Sequence, residues 1–137
     1  MAADALAALA ARAYRHMKPW SSAQFAETLA APHSILVSND TGFVLGQVVF
    51  DEAEILALAT DPAHQRRGVA SSLLKQFFTL AQSRGGTRLF LEVAEDNAPA
   101  IAFYRRHGFE IQGLRRGYYR RAGAAAADAC VMARDIP

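Results

Sequence analysis

One cysteine, Cys130, stands alone among 137 residues. A lone thiol excludes an internal disulfide and any cysteine-based metal cluster. No stretch approaches the roughly 20 consecutive apolar residues that a membrane-spanning helix needs. The four histidines, His16, His33, His64 and His107, are scattered and form no metal-ligand spacing, so no metal is expected. Lysine is nearly absent, with only Lys18 and Lys75 against thirteen arginines. The formal charges almost cancel, at +2, and the basic residues lack interleaved surface aromatics. The lack of interleaved aromatics argues against a nucleic-acid-binding platform.

What is present suits a folded globule. Apolar residues make up 52% and charged residues 20%, far from a disordered composition. The length fits one domain over residues 1–137. Twenty-nine alanines make much of the apolar fraction small and helix-favouring. Charge is unevenly spread. Residues 1–60 carry three Lys or Arg against six Asp or Glu, a net of −3; residues 61–137 carry twelve against seven, a net of +5. An arginine-weighted half suits phosphate or carboxylate partners, and equally an ordinary solvated surface. Met1 to Ala13 is apolar enough to resemble a signal peptide. It lacks a basic leading segment and carries Asp4, so it reads as an amphipathic helix and the cytoplasm as the default location.

Periodicity organises the chain. Leu6, Leu9, Ala10, Ala13, Tyr14 and Met17 recur at helical spacing over Asp4 to Met17, which Pro19 stops. Ser21 with Gln24 has capping-box spacing and opens a second helix through about Ala30. The period then falls to two. Ile35 to Ser38 and Phe43 to Phe50 read as strands joined by the turn residues Asn39 to Gly42, and Ala53 to Thr60 as a third. A helix is expected from about Gly68 to Arg84, ended by Gly85-Gly86. Thr87 to Val93 is the next strand. Asn97 or Asp96 caps a further helix that runs to about His107, with Pro99 in its first turn. Phe109 to Tyr118 and Ala129 to Asp135 are the last strands, and the alanine-rich stretch Arg121 to Asp128 reads as a loop between them. Strand, helix and strand from Ile55 to Val93 form a right-handed β-α-β crossover. This order predicts an α/β fold, a mixed sheet with helices packed on it.

Two places carry chemistry. Gln65-Arg66-Arg67-Gly68-Val69-Ala70 lies between a strand and a helix, where the first-turn amides lack intrahelical partners at the positive end of the dipole. Gly68 and Ala70 leave those amides uncovered, so a diphosphate can sit on the backbone. Taken alone, the same run is also a glycine helix start beside two solvated arginines. Glu92 lies mid-strand. Leu89, Leu91 and Val93 share one face and Phe90 and Glu92 the other. A carboxylate there is unusual; it is either a partly desolvated proton acceptor or one half of an ion pair with Arg88 or another arginine at the sheet surface.

Gln65 to Ala70 resembles the acetyl-CoA pyrophosphate loop of the GNAT family of N-acetyltransferases. Leu58-Ala59-Thr60-Asp61-Pro62 is similar to the strand and turn before that loop. The run from Asn97 through Ala102-Phe103-Tyr104 to His107-Gly108-Phe109 is similar to the family's second signature, in the right order and separation. The resemblance covers about Ser34 to Ala133. Leu91-Glu92-Val93, Arg115 to Tyr119, Pro19-Trp20-Ser21 and Asp128 to Met132 further resemble the branch that acetylates the N-terminal alanine of a small-subunit ribosomal protein.

This resemblance implies an acyl-CoA N-acyltransferase fold: a mixed, mostly antiparallel central sheet, a β-α-β crossover, and helices on both faces. The family branch has a strand before its first helix. Here the sequence starts almost directly in helix: either that strand is missing or the start is shortened, and whether this exposes one sheet edge is open at the level of sequence. Acetyl-CoA is the implied cosubstrate, without a metal. Its pyrophosphate is placed over Gln65, Arg66, Arg67, Gly68, Val69, Ala70 and Ser71. Its arm is placed along Leu58, Ala59 and Thr60, on a strand from which the Glu92 strand must splay. Asn97 is implied to contact the arm or simply to cap its helix. Glu92 is implied as general base and Tyr104, also a cofactor contact, as general acid. Trp20, Glu92, Tyr118 and Tyr119 are implied to form the acceptor pocket, with core packing the other reading of Trp20. Cys130 reads as a small core residue rather than an acyl carrier. The expected partner is a protein or peptide N-terminus, a ribosomal protein among them, and the chain a monomer or weak homodimer without membrane or direct nucleic-acid contact. A small amine or a lysine as acceptor, and a non-catalytic CoA-binding module, are the rival readings.

Overall fold

The computed structural model describes residues 2–14, 19–65, 68–121 and 124–137, and of residues 117–121 and 124–127 the backbone alone. Two helices, α1 (Ala3–Ala13) and α2 (Ser22–Ala30), precede three strands, β1 (Ser34–Asn39), β2 (Gly42–Val49) and β3 (Glu52–Thr60). There follow α3 (Val69–Ser83), β4 (Arg88–Ala94), α4 (Ala98–Arg106), β5 (Glu110–Arg121) and β6 (Ala124–Asp135). The strands form one six-stranded sheet in the order β1-β2-β3-β4-β6-β5. All neighbours are antiparallel except β3 and β4, which the α3 crossover makes parallel. Among the described residues the first element is α1, and β1 lies at one edge of the sheet.

Local chemistry sets most element ends. The capping box at α2 is complete: the Gln24 amide donates to Ser21 Oγ at 3.2 Å, and the Ser21 amide to Gln24 Oε1 at 2.8 Å. Gly85 takes a left-handed φ of 85° just beyond α3, the usual role of a glycine there. Helix α1 ends sooner than its apolar stripe predicts. Tyr14 turns extended at φ −78° and ψ 129° and packs on the core, while Met17 lies outside the described residues.

The largest departure is at the C-terminal end. Arg121 to Asp128 is expected as a loop, yet β5 runs through Arg121 and β6 starts at Ala124, with Tyr119 opposite Ala127 and Arg121 opposite Ala124. Alanine favours helix when isolated. Across the sheet from a partner strand, ladder hydrogen bonds override that preference.

Apolar side chains split between the two faces. On one, Leu6 and Leu9 of α1 and Phe25 of α2 pack against Phe43, Leu45, Ala57 and Ala59. On the other, Leu73, Leu74 and Phe77 of α3 and Tyr104 of α4 pack against Val44, Ile55, Leu91 and Met132. The sheet is therefore covered by helices on both faces.

Candidate active site

Strand β3 changes face in mid-course. Opposite Leu45 and Gly46, β3 advances two residues, from Ala57 to Ile55, while β2 advances one. Leu56 is thus the extra residue of a β-bulge, which bends a strand and reverses its alternation. Ala53 and Ile55 pack on the α3 side, whereas Ala57 and Ala59 pack on the α1–α2 side. A glycine makes this possible. A Cβ at Gly46 would stand 2.2 Å from the Glu54 carbonyl oxygen and 2.5 Å from the Phe77 ring.

The bulge also ends the pairing of β3 with β4. Glu52, Ala53 and Glu54 lie opposite Arg88, Leu89 and Phe90, and no pairs follow. Leu56 to Thr60 and Leu91 to Ala94 therefore splay apart, as the resemblance implies. Backbone groups in such an opening need partners from elsewhere.

The start of α3, where the sequence predicts an anion seat, lies at one end of this opening. Gly68 is the N-cap of α3, left-handed at φ 78°, and provides no side-chain cap. Among the described residues, nothing lies within 4 Å of where its Cβ would be. The amides of Val69, Ala70 and Ser71 thus start a 15-residue helix with space above Gly68. Ser71 Oγ is 3.0 Å from Nε2 of His107, which ties the first turn of α3 to the end of α4. Burial, with Lys75, Arg106 and Arg134 nearby, lowers the His107 pKa. Gln65 Nε2 donates to the Thr60 carbonyl at 3.3 Å, so one lone pair of that oxygen is taken. Arg66 and Arg67 lie outside the described residues. Leu58 is half-buried on the α3 side, Ala59 is buried on the other, and Thr60 is 7% exposed.

Asn97 acts as a cap, its Oδ1 accepting from the Ala100 amide at 3.3 Å. Tyr104 is 8% exposed, with its ring edge-on to Phe103 and Phe109 at centroid distances of 5.2 and 5.4 Å. It belongs to the α3 side of the sheet.

Glu92 lies on the opposite side, on the face its alternation predicts. It lines a cleft of about 410 Å³ with Gln47, Glu52, Glu54, Phe90 and Val131. Arg115 Nη1 donates to Glu92 Oε1 at 2.6 Å, so Glu92 is half of an ion pair, with Arg115 as partner rather than Arg88, which pairs with Asp135. Glu54 was not singled out by the sequence pattern. Its pKa is raised, first by burial and then by the Glu92 carboxylate, against a hydrogen bond from Gln47. The signal was available: Glu54, between Ala53 and Ile55, is a mid-strand acid like Glu92.

Trp20 is half-buried on the α1–α2 core, 5.2 Å from the Phe25 ring, so it packs whether or not it also meets an acceptor. Tyr118 and Tyr119 lie in β5, and their side chains are outside the described residues. Cys130 is a buried core residue whose thiol pKa burial raises. Among the described residues no cluster of His, Cys, Asp or Glu is arranged to hold a metal, and no helix is long and apolar enough to cross a membrane.

Known proteins share this architecture. The sequence profile described as "Acetyltransferase (GNAT) family" matches residues 3–109. An N-alpha-acetyltransferase RimI of Mycobacterium tuberculosis is 40% identical over 126 residues, spanning 85% of this chain and 76% of the relative. A [ribosomal protein bS18]-alanine N-acetyltransferase of Escherichia coli is 36% identical over 125 residues, 88% of this chain and 84% of the relative. The crystal structure of the Escherichia coli ribosomal-protein-S18-alanine N-acetyltransferase superposes with a TM-score of 0.85 at 34% identity, covering 98% of this chain and 87% of that one. On this likeness in sequence and fold, the chain belongs to the acetyltransferase (GNAT) family and is an acetyl-CoA-dependent N-acetyltransferase.

Proposed function

We propose that this chain acetylates the N-terminal amine of a protein in the cytoplasm, with a ribosomal protein beginning with alanine, the acceptor named for its relatives, as substrate. One observation carries the proposal: β3 and β4 part just beyond Glu54 and Phe90. The opening has an anion seat at the start of α3 on one side and an acidic cleft on the other.

The residues present fit acetyl-CoA, which supplies an activated acetyl group on a thiol leaving group. Val69, Ala70 and Ser71 offer uncapped amides for its diphosphate, with Gln65, Arg66 and Arg67 preceding them. The unpaired edge of Leu58 to Thr60 offers strand-like backbone bonds to its arm, and the buried Thr60 and Tyr104 line the same side.

The cleft on the α1–α2 side receives the amine. An α-amine arrives largely as ammonium at neutral pH and must lose a proton before its lone pair can form the C–N bond. The Glu54–Glu92 pair accepts that proton: burial and mutual repulsion favour a protonated carboxyl on Glu54, and Arg115 anchors Glu92. As the C–S bond breaks, its electron pair goes to sulfur. Tyr104, on the α3 side, donates its phenolic proton to the thiolate, and the second proton, shed by the nitrogen as it becomes an amide, returns to the phenolate. The family resemblance assigns Trp20, Tyr118 and Tyr119 to the acceptor side.

An acetyl-transfer assay on peptides beginning with alanine, beside a panel of polyamines and internal lysines, tests this. Preference for the alanine peptides is expected. Transfer to small amines alone refutes the acceptor, and acetyl-CoA binding with no transfer to any amine refutes catalysis.

A further inference from the structure

Two buried side-chain polar atoms lack a hydrogen-bond partner among the described residues, Thr60 Oγ1 and His64 Nδ1. They lie four positions apart, at the end of β3 and in the short 3-10 turn Pro62–His64 that leads to the anion seat. Buried polar groups are almost always paired. An unpaired one lowers stability, and its presence calls for a reason.

The place of Thr60 supplies one. Leu58 packs on the α3 side, and a period of two puts the Thr60 side chain on that side as well. Across the ladder Thr60 faces Gly42, where a Cβ would stand 3.1 Å from Leu73 and 3.3 Å from Val69. The Thr60 end of β3 is therefore pressed against the first turn of α3. Its other flank has no strand, because β4 has already diverged. A buried hydroxyl without a partner, on a residue only 7% exposed, stands beside both the uncapped amides and the open strand edge.

We propose that Thr60 Oγ1 and His64 Nδ1 are ligand-binding side chains, each completing a hydrogen bond with the polar linkage of the acyl carrier where its diphosphate meets its arm. The inference rests on the reading that the chain binds acetyl-CoA and adds two side-chain contacts to the backbone ones. It also accounts for both orphaned atoms together: each is satisfied only in the liganded protein.

The full-length chain and its variants are compared by calorimetric titration with acetyl-CoA and by melting temperature without ligand. Thr60→Val keeps the β-branched shape and removes the orphan hydroxyl. It is expected to melt about 3 °C higher unliganded and to bind acetyl-CoA about three- to tenfold more weakly. Thr60→Ser restores the affinity. His64→Leu weakens binding by a similar factor, and His64→Asn, which keeps a polar atom near the Nδ1 position, recovers it. Acetyl-CoA affinities within twofold of the parent chain for both Thr60→Val and His64→Leu overturn the proposal. So does a lower melting temperature for Thr60→Val, since the hydroxyl then has a partner in the unliganded protein. Failure of the parent chain itself to bind acetyl-CoA refutes the underlying functional reading, a result distinct from either.

Discussion

Gly46→Ala tests whether the bulge and the opening are one device. In an unobstructed strand, glycine to alanine raises stability by about 0.5–1 kcal/mol, because the unfolded chain loses freedom. At Gly46 the added Cβ stands 2.2 Å from the Glu54 carbonyl oxygen and 2.5 and 2.7 Å from two Phe77 ring carbons. Carbon–oxygen contacts settle near about 3.3 Å, so the overlap with backbone is roughly 1 Å. Overpacking of this kind costs about 1–3 kcal/mol, and more when backbone must move. With a fixed carbonyl on one side and a buried ring on the other, about 3 kcal/mol is expected. For a domain of this size that is a fall in melting temperature of roughly 10 °C. Gly113, where an added Cβ would meet nothing within 4 Å among the described residues, is the control, and Gly113→Ala leaves the melting temperature unchanged or slightly raised. Differential scanning calorimetry of the two variants reads the contrast. Because relief of the clash pushes β3 at Glu54, Gly46→Ala also weakens acetyl transfer at temperatures where it remains folded. An unchanged or raised melting temperature for Gly46→Ala refutes the argument that the bulge depends on this glycine.

Further outcomes concern the two carboxylates and the tyrosine. Glu54→Gln lowers kcat/KM by about 100-fold or more and abolishes the acidic limb of its pH profile, whereas an unaltered limb removes Glu54 from proton transfer. The sign for stability is opposite to that for activity. The raised pKa of Glu54 means that its stabilisation is full below the ordinary carboxylate value and is lost as pH rises through its folded value. Denaturant titrations should therefore show the parent chain losing stability over that window and Glu54→Gln losing less. Arg115 lowers the Glu54 pKa, so Arg115→Met moves the acidic limb to higher pH; a shift to lower pH contradicts the assignment. Tyr104→Phe keeps the ring contacts with Phe103 and Phe109 and lowers kcat about 100-fold with little change in acetyl-CoA affinity. Full turnover by this variant excludes Tyr104 as the acid.

Local patterns located most of the elements because their causes are local. The Ser21–Gln24 box, Gly68 at the start of α3 and Gly85 at its end each mark a boundary through chemistry within a few residues. The two-residue alternation likewise put Glu92 and Phe90 on one face and Leu89, Leu91 and Val93 on the other. Where an element depends on a distant partner, the pattern misled. Ala124 to Asp128 carries no strand signature, and only pairing with β5 makes it one.

Order along the chain, the glycine before α3 and the mid-strand acid Glu92 were written in the sequence itself, and with them the candidate phosphate seat; Tyr104 entered through the family resemblance. Only the folded sheet decided that β3 bulges at Leu56, that β4 leaves it after Phe90, and that Glu54 shares a cleft with Glu92 while Arg115 anchors the latter. The reason is one of range: caps and alternation act over two to four residues, whereas register, burial and charge coupling are set between strands far apart in sequence.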